Sequence, residues 1–197
     1  MNHSKLRTAV LIVGLANFAY FFVEFFVARR IGSVSLFADS VDFLEDAAVN
    51  FLILLALGWS LKLRSRVGML LALILFIPAI SCVWTAWTKF LHPVSPDPRQ
   101  LLLTGAGALF INVGSAFLLA NYRDHGGSLT RAAFLSARND AIANLAIIAA
   151  GLISLRWISG WPDLIVGLGI MTMNLDAARA VWKAAWDEHL SEKARDR

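Results

Sequence analysis

Acidic and amide side chains stand four residues apart in two places, each inside an otherwise apolar stretch. The first copy is Asp42, Asp46, Asn50 and the second is Ser136, Asp140, Asn144. Residues i and i+4 share a helix face, so each copy is a short ladder of oxygen donors. Zinc favours nitrogen and sulfur ligands in a tetrahedron, while carboxylates and carbonyl oxygens suit harder ions such as manganese. If Asp42, Asp46, Ser136 and Asp140 hold a metal, the set points to a divalent first-row ion, with hard ions less disfavoured than at a histidine site. Zn²⁺, Mn²⁺, Co²⁺, Fe²⁺ and Cd²⁺ are the candidates. Asp39, Asn50, Asn139 and Asn144 are secondary candidate donors. Close carboxylates cannot all stay charged without a counter-ion, so metal binding should expel protons and protonation should expel metal.

These ladders need elements to hold them, and the composition says which. The chain has 197 residues, 58% hydrophobic and only 16% charged, where soluble domains average about 25% charged. That excludes disorder and a nucleic-acid-binding basic domain, and it argues for one integral membrane domain. The net charge of +4 then reflects basic loops. Single Cys82 allows no internal disulfide. Apolar runs at about 9–28, 67–88 and 101–120 are long enough to span. Amphipathic runs at about 33–61, 131–155 and 164–182 complete an all-α membrane protein of six transmembrane helices, with a short tail at 183–197. Arg29–Arg30 ends the first run without a small-residue cleavage site, so it is no signal peptide. Lys and Arg concentrate at Lys5, Arg7, Lys62, Arg64, Arg66, Arg123, Arg131 and beyond Arg179, which puts both termini in the cytoplasm.

The two ladders lie at a nearly constant offset, and Asn17 matches Asn112 at almost the same offset. We read a 3+3 repeat. Each half has an odd number of helices, so the copies are inverted, as in many transporters with a midplane site. At about 1.5 Å per residue, Asp42, Asp46 and Asp140 all come near mid-bilayer. Each Asp at mid-helix costs about 2.5–3.5 kcal/mol on insertion scales. A cation, protons or a wet cavity must offset that.

SVSLFADSVDFLEDAAVN in the second helix and LSARNDAIANLAII in the fifth, with Asn17, Phe21 and Glu24 in the first and WPDLIVGLGI opening the sixth, resemble the cation diffusion facilitator family of metal-ion/proton antiporters. All six helices can be placed on that pattern. The resemblance implies proton-coupled efflux of a divalent metal ion across the cytoplasmic membrane, homodimerisation, and a metal site on Asp42, Asp46, Ser136 and Asp140. Ser136 stands where His or Asp is usual. Only a short tail follows the sixth helix, where family members commonly carry a cytoplasmic domain, and no His-rich loop separates the fourth and fifth.

The remaining residues read as scaffold. Glu24 suggests an interhelical hydrogen bond, and Asn17 and Asn112 interhelical glue. Glu45 is expected to pair with Arg138, and Asp163 to cap the sixth helix. Gly105, Gly107 and Gly114 permit close packing of the fourth helix, Pro78 kinks the third, and Trp84, Trp87, Trp157, Trp161, Trp182 and Trp186 form an interfacial belt. The loop HPVSPDPRQ should be extended. No buried His or GxSG motif supports hydrolysis, so the chain is not expected to be an enzyme. An intramembrane aspartyl enzyme using Asp46 and Asp140, and a passive cation channel, are the alternative readings.

Overall fold

The computed structural model describes residues 3–56, 80–122 and 128–173. Among them all regular structure is helical, in six stretches: α1 His3–Ile31, α2 Val34–Ala56, α3 over 80–91, α4 Pro98–Ala120, α5 Ser128–Arg156 and α6 Trp161–Met173. The expected third helix before 80, Pro78, the Gly126–Gly127 loop, the sixth helix after 173, Trp182, Trp186 and the tail lie outside the described residues. Among the described residues three helices are long and apolar enough to cross a membrane: α1, α4 and α5. α2 has the length for a span, at 23 residues, but carries the carboxylates.

The helices are inside-out relative to a soluble bundle. On α4, Leu103, Phe110 and Phe117 recur on one face and are 75–78% exposed, while Thr104, Asn112 and Ser115 are buried. Apolar side chains pointing out and polar ones in is the pattern a lipid solvent selects, because lipid cannot hydrogen-bond.

α1 and α2 form a hairpin through Gly32 and Ser33. Gly32 adopts φ +66°, a left-handed conformation that glycine reaches without a Cβ clash. The Ser33 amide donates to Ala28 O at 3.0 Å, closing a Schellman turn on α1. The same serine starts α2, since its Oγ accepts from the Leu36 amide at 3.1 Å, as an N-cap does. So short a turn folds α1 and α2 back on each other in register.

The extended loop ends sooner than the sequence reading supposed. Asp97 accepts from the Arg99 and Gln100 amides at 2.9 and 3.2 Å, and Pro98 opens α4 as its first residue. That is the ordinary place for a helical proline.

The most extensive packing pairs α1 with α2 and α4 with α5, and α1 with α4 and α2 with α5 close the group. Gly105 meets Ile147 across the α4–α5 seam, and Gly107 meets the Tyr20 ring. Gly114 faces open space, so the packing role expected of it is not one it performs. Two apolar clusters bracket the middle of the bundle. One holds Ala28, Leu36, Phe37, Leu101 and Ile147; the other holds Val10, Val13, Ile53 and Leu119. Asp42, Asp46, Ser136 and Asp140 lie between these clusters, while Lys89 and Asp163 are buried beyond the first, at the start of α2.

Candidate metal site

α2 and α5 bring three of the four primary candidates together. Ser136 Oγ donates to Asp46 Oδ1 at 2.8 Å and lies 3.5 Å from Asp140 Oδ2. Asp46 is buried, while Ser136 and Asp140 are half-buried. Asp42 lies one turn along α2 from Asp46 and is also buried. Among the described residues no three His, Cys, Asp or Glu side chains already converge as a metal cluster. Here a serine hydroxyl, a donor, spans the gap between Asp46 and Asp140. A metal ion in that gap needs the hydroxyl proton turned away and a serine lone pair presented instead.

The secondary candidates separate. Asn50 donates to Asp46 O at 2.8 Å on its own helix, and its Oδ1 is buried without a partner. Asn139 is exposed beside Arg138, on the side of α5 turned to α6, away from Asp46. Asp39 and Asn144 hydrogen-bond each other two turns of α2 away from Asp46. They form a separate polar group with Glu24 and Asn112.

One expectation about neighbours holds and one changes. Asn17 and Asn112 each bond across helices, as interhelical glue does: Asn17 Nδ2 reaches Asp46 Oδ2 at 3.4 Å, beside the candidate ligands, and Asn112 donates to Asn144 at 3.0 Å. Glu45 does not pair with Arg138, which is exposed and contacts Asn139. The ion pair among the described residues lies elsewhere, between Lys89 and Asp163 at 2.8 Å.

That pair holds the start of α2. Asp163 does not cap its own helix. Its carboxylate accepts from the Val34 amide at 2.8 Å, the Ser35 amide at 3.2 Å, and the Ser33 and Ser35 hydroxyls at 2.6 Å each. Lys89 Nζ donates to the same carboxylate and to Gly32 O. A carboxylate on exposed N–H groups at a helix N-terminus also meets the positive end of the helix dipole. Gly167 lets α6 come this close, since a Cβ there would stand 2.8 Å from the Ser35 amide nitrogen. Sequence reasoning missed Lys89 and misassigned Asp163. Its one available signal was the Gly32–Ser33 turn, which leaves a helix start needing acceptors.

The chain matches the sequence model for the cation efflux transmembrane domain over residues 10–187. It is 27% identical over 173 residues to a zinc transporter ZitB of Pectobacterium atrosepticum, covering 81% of this chain and 53% of that protein. It is 24% identical over 164 residues to a zinc transporter ZitB of Yersinia pestis, covering 77% of this chain and 52% of that protein. The chain spans about half the length of the curated relatives it matches.

Proposed function

Because this chain belongs to the cation efflux family, we propose that it is a membrane carrier exporting a divalent metal cation in exchange for protons. The family assignment sets aside the aspartyl-enzyme reading. The observation that carries the site is the Asp46–Ser136–Asp140 bridge between α2 and α5. Two helices that each contribute a carboxylate at one level can hold an ion between them and release it by moving apart. Asp42 joins the set by a small closure of α2 on the ion. Asn17 steadies Asp46 from α1.

The exchange follows from charge. Asp46 and Asp140 repel at this range unless positive charge stands between them. The site therefore holds either a metal ion or protons, and each displaces the other. The apolar clusters on either side of Asp46 suit a carrier that must not leak, and they disfavour an open channel. Packing that pairs α1 with α2 and α4 with α5 supports the inverted 3+3 reading, with both termini cytoplasmic and the Gly32–Ser33 turn outside. The relatives are zinc transporters, so Zn²⁺ is the first ion to try. The all-oxygen donor set extends the range to Mn²⁺, Co²⁺, Fe²⁺ and Cd²⁺. Homodimerisation in the cytoplasmic membrane completes the proposal.

The site is tested by equilibrium metal binding to the full chain in nanodiscs. Wild type should bind Zn²⁺ or Mn²⁺ and release protons as it does so. Asp46→Asn and Asp140→Asn should each lose that ion and its proton release. Unchanged binding in both variants rules out this ligand set.

A further inference from the structure

Seven residues along α2 from Asp46, on the side of the Gly32–Ser33 turn, a second polar group fills the space between four helices. Asn112 of α4 donates to Asn144 Oδ1 of α5 at 3.0 Å. Asn144 Nδ2 donates to Asp39 Oδ2 of α2. The Asp39 carboxyl lies near enough to that of Glu24 on α1 for the two to interact electrostatically. Glu24, Asp39 and Asn144 are 0% exposed, and Asn112 is 2% exposed.

The group has acceptors and too few donors. Both Glu24 oxygens, Asp39 Oδ1 and Asn112 Oδ1 are buried with no protein donor. The hydroxyl of Tyr20, one turn away on α1, donates instead to Thr104 O at 2.7 Å. The buried ammonium of Lys89 is committed to Asp163 and Gly32. Buried carboxylates without partners are costly. One proton shared between the two carboxyls serves two of the four oxygens. A hard divalent cation takes six or more oxygen ligands at once.

We propose that Glu24, Asp39 and the Asn112 amide oxygen form a second divalent-cation station, reached by the ion after it leaves Asp46 and Asp140. This rests on the reading of the chain as a metal carrier. Seven residues at about 1.5 Å each separate the stations by roughly 10 Å along α2, with Asp42 between them. An ion moving outward thus always has a carboxylate within reach. The station has no nitrogen or sulfur, so it favours Mn²⁺ over Zn²⁺ more strongly than a histidine site does.

The test counts ions bound per full chain in nanodiscs, with Mn²⁺ and Zn²⁺ as probes, and follows Mn²⁺ transport in reconstituted vesicles. Wild type binds two Mn²⁺ ions. Glu24→Gln and Asp39→Asn each bind one, and slow Mn²⁺ transport at least tenfold. Asp46→Asn and Asp140→Asn also bind one, but lose the other ion. Both substitutions at the second station keep side-chain size, and either alone suffices if the other does not fold. A wild-type count of one, or a count of two that Glu24→Gln leaves intact, overturns the second station. A wild-type count of one whose proton release is nonetheless reduced in Glu24→Gln assigns the pair to a proton instead of a metal ion. If only the Asp46 and Asp140 variants leave the count unchanged, the first site fails and the second stands.

Discussion

At the residue scale, Ser136 sets the character of the proposed site. It occupies a position where the family resemblance implies His or Asp, and it donates a hydrogen bond to Asp46 where a ligand would offer a lone pair. Ser136→His supplies the nitrogen that zinc prefers, and should raise Zn²⁺ affinity relative to Mn²⁺ by about tenfold. Competition binding with the two ions checks it, and an unchanged ratio would place position 136 outside the metal's reach. Ser136→Ala removes the bridging donor but no charge, so metal binding should persist. The i, i+4 ladder made Asp46, Ser136 and Asp140 legible, because helix periodicity alone puts them on a face. Asn17 was not legible as a partner of Asp46. Its contact depends on how tightly α1 folds back on α2, and that is decided at Gly32 and Ser33 rather than near either residue.

At the element scale, α2 is held at its start by side chains from α3 and α6. Asp163→Ala removes four acceptor contacts and strands a buried ammonium, which is a change of about 3–5 kcal/mol for a buried pair. Lys89→Met keeps the contacts to the α2 start and should cost less. Thermal midpoints of the purified chain rank the two, and equal midpoints would contradict the capping role. Gly167→Ala should resemble Asp163→Ala, because its Cβ presses on the backbone of Val34 and Ser35. At the start of α4, the side-chain and backbone N–H groups of Gln100 hold the Asp97 carboxyl below the usual carboxylate range. Its contribution is therefore present above the ordinary Asp range near pH 4 and is lost as pH falls through the lowered value. Asp97→Ala should flatten the acid limb of the stability profile; an unaltered limb would show that the cap carries no pH dependence. The sequence pattern starts α4 three residues late. The Asp97–Pro98 pair reads in sequence as part of an extended loop, but it is a cap followed by a first-turn proline. The Asp163 role was missed for a different reason. A carboxylate beside a helix start in sequence suggests capping of that helix, and only packing reveals that α2 offers the better-placed amides.

At the scale of the whole molecule, an all-helical chain with membrane-spanning helices was legible because hydrophobic length and charge exclusion are properties of composition. The arrangement of the polar residues in depth was only half legible. Periodicity placed both ladders in the middle of the bundle, but it could not separate Asp46–Ser136–Asp140 from Glu24–Asp39–Asn144–Asn112. That division needs the register between four helices. The resulting molecule has apolar packing on either side of Asp46 and carboxylates in its middle. The most direct test of the account is metal uptake into inside-out vesicles holding the reconstituted chain, with and without an imposed pH gradient, for Zn²⁺ and Mn²⁺. The account predicts uptake that rises with a proton gradient opposing the metal, and that disappears in both Asp46→Asn and Asp140→Asn. Uptake indifferent to the gradient, or unaffected by both substitutions, would contradict it.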